Sequence, residues 1–172
     1  KEYLEKLPAS VRERAVRVAG VGFSGGKYRK LDEPGLSRAA ADKAYKMAGL
    51  GPEDIDVAEV HDATSFCEIY QCEMLRFCPD GEGGKFVESG ATGPGGKLPV
   101  NTSGGLVSKG HPVGATGLSM LAELATRLRL LGAAWPEDVA RFGTDLVADV
   151  GRLMPLAQLP ERLRGFLLAT AI

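Results

Sequence analysis

Apolar and β-branched residues dominate Ala15 to Phe23, Ala-Val-Arg-Val-Ala-Gly-Val-Gly-Phe, which suits a buried strand better than a helix. Ser24-Gly25-Gly26 breaks the run. Leu36, Ala39, Ala40, Ala44 and Met47 then recur at helical spacing and Gly49 follows, so the pattern predicts an amphipathic helix from Leu36 to Ala48. After a turn at Pro52-Glu53-Asp54, Ile55 to Val60 reads as a second strand ending at His61, and strand, helix, strand in that order is a crossover unit. Thr64 to Cys78 returns to helical period, with Cys67, Tyr70, Met74, Phe77 and Cys78 on one side. Pro79 to Gly96 carries too many turn residues for a regular element, apart from a short strand at Lys85-Phe86-Val87. Leu98-Pro99-Val100 leads into a glycine-rich loop and then a helix with Leu118, Leu121, Leu124 and Leu128 along one face. The fold class expected from these elements is α/β, a layered design with ligands collected just beyond strand ends.

The two ends of the chain read differently. Lys1 to Arg14 is charged, with Leu4, Leu7 and Val11 at helical spacing. Beyond Arg129 the composition shifts: every lysine precedes position 110 and the glycines thin out. Pro136-Glu137-Asp138 starts a helix carrying Val139, Phe142, Leu146, Val150 and Leu153 as far as Pro155. The expected organisation is a domain over residues 1–129 followed by an atypical helical tail over 130–172.

Composition excludes more than it selects. The 172 residues suffice for one core. With 21 basic against 22 acidic residues, nothing draws the chain to nucleic acid or to an anionic membrane surface. No apolar run reaches the roughly 20 residues of a spanning helix, and the first residues do not form a signal peptide, so a cytoplasmic protein is expected. Three cysteines, Cys67, Cys72 and Cys78, are an odd number without Cys-x-x-Cys spacing, which favours reduced thiols. Two histidines and those cysteines lack metal-ligand spacing, and no P-loop pattern occurs, so no metal site is expected.

The chemistry concentrates in one loop. Gly104, Gly105, Gly110, Gly114 and Gly117 surround His111, and Pro112 suits the first position of the following helix. His111 therefore sits at a helix N-terminus, where the dipole disfavours imidazolium and favours a nearby oxyanion. An imidazole there serves as a neutral base or as a hydrogen-bond donor to a developing negative charge.

The run Val-Asn-Thr-Ser-Gly-Gly-Leu-Val-Ser-Lys-Gly-His-Pro-Val-Gly-Ala-Thr-Gly closely resembles the Gly-His-Pro loop of the thiolase superfamily, in particular its lipid-transfer (sterol-carrier) branch. Phe86-Val87-Glu88-Ser89-Gly90-Ala91-Thr92 resembles the same branch, and His61-Asp62 is similar to the place where its members carry a His and other thiolases an Asn. The resemblance covers Ala15 to Arg129, most of a thiolase C-terminal half, and implies a partial thiolase-like layered fold. It implies that His111 activates a nucleophilic cysteine and helps to stabilise thioester oxyanions, that His61 helps to hold a water or a substrate carbonyl, and that Asn101, Ser103, Gly104, Gly110 and Gly114 form the substrate-binding loop. Asp62 reads as structural, a cap for a helix beginning near Ala63.

The family's nucleophilic cysteine belongs to an N-terminal half that this chain lacks, and Cys67, Cys72 and Cys78 read as small buried hydrophobes. Two further strands with a Cys-x-Gly motif or a Gly-rich equivalent belong to the family pattern, and neither motif occurs from Leu130 to Ile172. The implied activity is acyl transfer or carbon–carbon bond cleavage on a coenzyme A thioester, with the thioester as substrate, no bound cofactor, and acyl-CoA and a homo- or hetero-oligomer as partners. The alternative is a non-catalytic fragment that binds acyl-CoA or a partner subunit.

Overall fold

The computed structural model describes residues 2–12, 15–26 and 28–131. Two short helices, α1 (Glu2–Glu5) and α2 (Ala9–Arg12), precede an extended segment over 15–26. Helix α3 (Leu36–Ala48) has the predicted bounds and ends at Gly49, whose N–H donates to Tyr45 O. A 3-10 turn (Pro52–Asp54) leads to an extended stretch and then to α4 (Ser65–Met74), α5 (Gly83–Glu88), α6 (Gly105–Lys109) and α7 (Val113–Leu131).

The inward face of α3 is Ala41, Ala44 and Tyr45, not the stripe through Met47, which is 65% exposed. Small residues face inward because the extended segment lies against the helix backbone itself. A Cβ at Gly20 would stand 2.3 Å from the carbonyl oxygen of Ala44, and one at Gly22 only 1.7 Å from that of Ala40. Lys43 Nζ fastens the same segment by donating to Phe23 O at 2.7 Å.

Helix α4 packs between α3 and α5. Contact on two sides widens its buried arc to Gln71, Cys72 and Met74, with Leu75 following, while Cys67 and Tyr70 are half-buried. Tyr45 Oη donates to Leu75 O at 2.9 Å, and burial drives its phenol pKa upward. Arg38 donates to the carbonyls of Glu73 and Met74 and pairs with Asp80, placing a cation on the C-terminal end of α4.

Lys85-Phe86-Val87, expected as a short strand, is helical within α5. The reason is local: Glu73 Oε1 accepts the Gly83 N–H, Phe86 N–H reaches back to Glu82 O, and Phe86 packs on the core. The strands expected at Ala15–Phe23 and Ile55–Val60 are extended chain. What pairing the described residues contain is one isolated parallel bridge, Ala58 with Val100, in which Ala58 N–H donates to Pro99 O and Asn101 N–H to Ala58 O, both at 3.0 Å.

The core gathers Ala44, Tyr45, Ile55, Val60, Cys72 and Leu98 around that bridge, and a second cluster joins Val57 to Leu124 with Val16 and Leu121 against them. On α7 the buried positions are Thr116, Met120 and Leu124, spaced by four, whereas Leu118 is 70% exposed. The side chain of Leu128 and the tail helix expected from Pro136 lie outside the described residues. Among the described residues no helix is long and apolar enough to cross a membrane.

Gly22→Ala is expected to lower stability by about 1–3 kcal/mol, because backbone rather than side chain must retreat. Urea denaturation checks this, and an unchanged midpoint would show that the segment does not rest on α3.

Candidate functional site

His61 and His111 meet. His61 ends the extended stretch after Val60, and His111 follows Gly110, the residue that closes α6. Their rings contact edge to face, with centroids 4.7 Å apart and planes at 83°. Two local devices bring them together. The first is Asn101, buried with φ 49°, whose Oδ1 accepts the Val60 N–H at 2.8 Å and whose Nδ2 donates to Glu68 Oε2 at 3.2 Å. The second is Asp62, 3% exposed, whose Oδ1 accepts the Leu106 N–H at 2.8 Å.

Asp62 is structural, but it does not cap the helix that follows it. Thr64 caps α4, accepting from Cys67 N–H, and Asp62 caps α6 instead, where Gly104 offers no side chain. Gly105 must be glycine for this: its φ is 58°, and a Cβ there would lie 2.1 Å from Asp62 Oδ2.

Around His111, Thr116 supplies the orientation. His111 Nδ1 lies 2.8 Å from Thr116 Oγ1, and the buried Thr116 hydroxyl also donates to Pro112 O at 3.2 Å. A hydroxyl has one proton. With that proton on Pro112 O, Nδ1 carries hydrogen and donates to Thr116, which leaves Nε2 with a free lone pair. Pro112, expected as the first residue of the helix, instead precedes α7 and accepts from the N–H groups of Ala115 and Thr116, so the helix starts one residue later than expected.

His61 is half-buried, and its pKa is lowered by burial first and by His111 second, against a smaller opposing pull from Asp62. A neutral His61 beside His111 can present an N–H toward a shared oxygen while the other ring acts as donor or base. Of the remaining loop residues, Ser103 Oγ accepts from Lys109 Nζ, while Gly104, Gly110 and Gly114 lie exposed around α6 and the first turn of α7. Asn101 uses its side chain inward.

The thiolase C-terminal domain-like family model matches residues 32–158. The chain belongs to the thiolase superfamily. Its similarity runs to the sterol-carrier branch: it is 44% identical to Sterol carrier protein 2 of Homo sapiens over 128 residues, 74% of this chain and 21% of that protein. It is 36% identical to the Benzoylsuccinyl-CoA thiolase subunit BbsB of Thauera aromatica over 68% of this chain and 31% of the subunit. Among solved structures, the Ltp2-ChsH2(DUF35) aldolase superposes with a TM-score of 0.57 at 28% identity, covering 64% of this chain and 30% of that one. The chain thus spans about a fifth to a third of the length of these relatives, and its described part has a thiolase C-terminal-domain-like fold.

Glu59, which lines a cleft with Gly110, Pro112 and Thr116, is a residue that sequence reading does not single out. It is 1% exposed, its Oε1 has no hydrogen-bond partner among the described residues, and burial pushes its pKa up to about 7 against the pull of Lys109. The signal was a lone carboxylate inside the apolar run Val57-Ala58-Glu59-Val60. Two of the cysteines are poor nucleophiles: Cys72 is fully buried with its thiol pushed up to about 12, and burial also raises Cys78. The described residues hold no cluster of three or more His, Cys, Asp or Glu side chains that could grip a metal ion.

Asp62→Asn is expected to cost about 1.5–3 kcal/mol, the worth of a hydrogen bond to a charged group, and to loosen the contact between the two imidazoles. Thermal denaturation and the loss of cross-peaks between the rings measure the two effects. Glu59 generates a pH dependence. Its pKa rises from about 4.5 to about 7 on folding, so the folded state holds the proton more tightly. The stability this gives is complete below pH 4.5 and is lost as pH rises through 7, a swing of about 3 kcal/mol. The gap between parent and Glu59→Gln stabilities should therefore change with pH, the parent losing ground between pH 5 and 8 while the variant does not; parallel urea curves would refute it.

Proposed function

We propose that this thiolase domain acts on coenzyme A thioesters, His61 and His111 converging on the thioester oxygen while a nucleophile from another part of the thiolase assembly reacts with the carbonyl carbon. The observation that carries this reading is the edge-to-face contact of the two imidazoles at 4.7 Å beside a Gly-His-Pro loop. The chemistry is acyl transfer or carbon–carbon cleavage next to the thioester, with Ser103, Gly104, Gly110 and Gly114 as the loop that meets the substrate and with no resident cofactor. Removing one donor from such a pair typically costs about 10²- to 10³-fold in rate. In the complete assembly the extended segments 15–26 and 55–60 take strand places in the layered α/β sheet.

A second reading, binding of a partner subunit without turnover, draws on the exposure of Phe23, Leu31, Phe66, Val113 and Leu118, a large apolar area for a free surface. Both readings include an oligomer. Adding a nucleophile-bearing thiolase N-terminal half separates them, because turnover then returns under the first and not under the second.

The first reading is tested on the chain alone by titrating acetoacetyl-CoA while observing the ring signals of both histidines. Both should shift, and His111→Ala should weaken binding without unfolding the chain; a titration that moves neither ring would overturn the proposal. The chain alone should show no thiolysis, since loss of a covalent nucleophile costs many orders of magnitude. Thiolysis abolished by thiol alkylation would place the nucleophile here instead.

A further inference from the structure

Behind the Gly-His-Pro loop, between α6 and the first turns of α7, lies a cleft of about 70 Å³ lined by Glu59, Lys109, Pro112, Thr116 and Ser119 among others. Two of these residues make it more than a packing gap. Glu59 is almost wholly buried and leaves Oε1 unpartnered among the described residues, and Thr116 is the residue whose hydroxyl touches His111 Nδ1. A space this large, with Glu59, Lys109, Thr116 and Ser119 supplying polar groups to an otherwise apolar lining, admits water, for which about 10–15 Å³ suffices. We propose that Glu59 is a positioning residue for His111: through water in this cleft it directs the Thr116 hydroxyl, and through that hydroxyl it selects which ring nitrogen of His111 carries the proton.

The direction follows from donor and acceptor counting. An ionised carboxylate only accepts, so a bridging water gives Glu59 one hydrogen, and where its second hydrogen meets the other carboxylate oxygen its own oxygen is left to receive from Thr116. The Thr116 proton then points to that water or to Pro112 O, and in either case His111 Nδ1–H donates to Thr116 and Nε2 is left as the base. When Glu59 is protonated it donates to the water, the water donates to Thr116, and the Thr116 proton turns to Nδ1. The ring hydrogen then resides on Nε2. No net proton is transferred, since the ring exchanges its hydrogen with solvent.

The charges facing Glu59 are Lys109 from α6, Glu123 and Arg127 from α7, and Asp62 from its own segment. Glu123 and Arg127 pair with each other at 2.8 Å, and Asp62 is engaged by the α6 backbone, so Lys109 is the group that favours the ionised form. The rise of the Glu59 pKa to about 7 places the change in the range where imidazole chemistry operates.

The inference rests on the reading of His111 as a working imidazole, but its test does not require turnover. The full chain labelled with ¹⁵N-histidine carries two imidazoles, told apart by His61→Gln. At a pH where both rings are neutral and Glu59 is ionised, ring nitrogen shifts should show His111 as the Nδ1–H tautomer. Glu59→Gln, whose amide can donate, should move the tautomer ratio toward Nε2–H by roughly fivefold, the net worth of one ordinary hydrogen bond. Glu59→Asp should keep the parent ratio, and in a Thr116→Val background Glu59→Gln should change nothing. An unchanged ratio in folded Glu59→Gln overturns the proposal. Should that variant not fold, the unsubstituted chain decides: the Thr116 methyl and His111 Nδ1 signals must inflect at the midpoint of the Glu59 carboxyl titration, and a flat response overturns it. Failure to bind acetoacetyl-CoA with the tautomer response intact sinks the catalytic reading alone.

Discussion

The backbone N–H of Leu106 and the carboxylate of Asp62 stand 44 residues apart in sequence and form a buried bond at 2.8 Å. The arrangement of the two imidazoles hangs on it. A five-residue helix has too few internal bonds to hold itself, and α6 has no side-chain cap of its own. Asp62 supplies the missing acceptor from a neighbouring element. The bond fixes the start of the loop that ends in His111 while also fixing the residue next to His61, so one contact sets both sides of the site. Asn101 adds a second tie one step earlier, gripping the Val60 N–H. The two histidines are thereby placed by their neighbours and remain free to meet a ligand.

How far the sequence announces this depends on where the determining partner lies. The bounds of helix α3 are legible because their signals are its own, apolar residues at helical spacing and a terminal Gly49. The Gly-His-Pro loop is legible for the same reason. The role of Asp62 is not, because local capping logic points to the helix immediately after it, and the actual partner is far along the chain. Lys85-Phe86-Val87 looks like a strand by side-chain type, yet the Glu73 acceptor at Gly83 and the packing of Phe86 on the core accompany a helix there. Met47 and Leu118 show the limit of counting apolar positions: both keep helical spacing, and both face outward because the neighbouring elements contact another arc of the helix. Ala15 to Phe23 has strand composition, yet a ladder needs a second chain segment that no composition reveals.

Charge is handled differently on the two sides of the loop. Asp62 is buried and engaged by the α6 backbone, whereas Glu59, three residues earlier, is buried with Oε1 unpartnered among the described residues. A sequence window holding Glu59, His61 and Asp62 thus carries a carboxylate that locks structure, one whose burial favours its proton, and an imidazole whose pKa burial lowers. Burial alone does not separate these roles; the partner each group finds does.

The rest of Gly22 on α3 has a consequence for how this domain can change. In an ordinary core, growth at one position is relieved by shrinkage at its neighbour, so pairs of substitutions rescue each other. Here the atom in the way is the carbonyl oxygen of Ala40, which every amino acid carries. No replacement at position 40 can make room for a side chain at 22. The contact has no suppressor among side chains, and only a displacement of a whole element could relieve it.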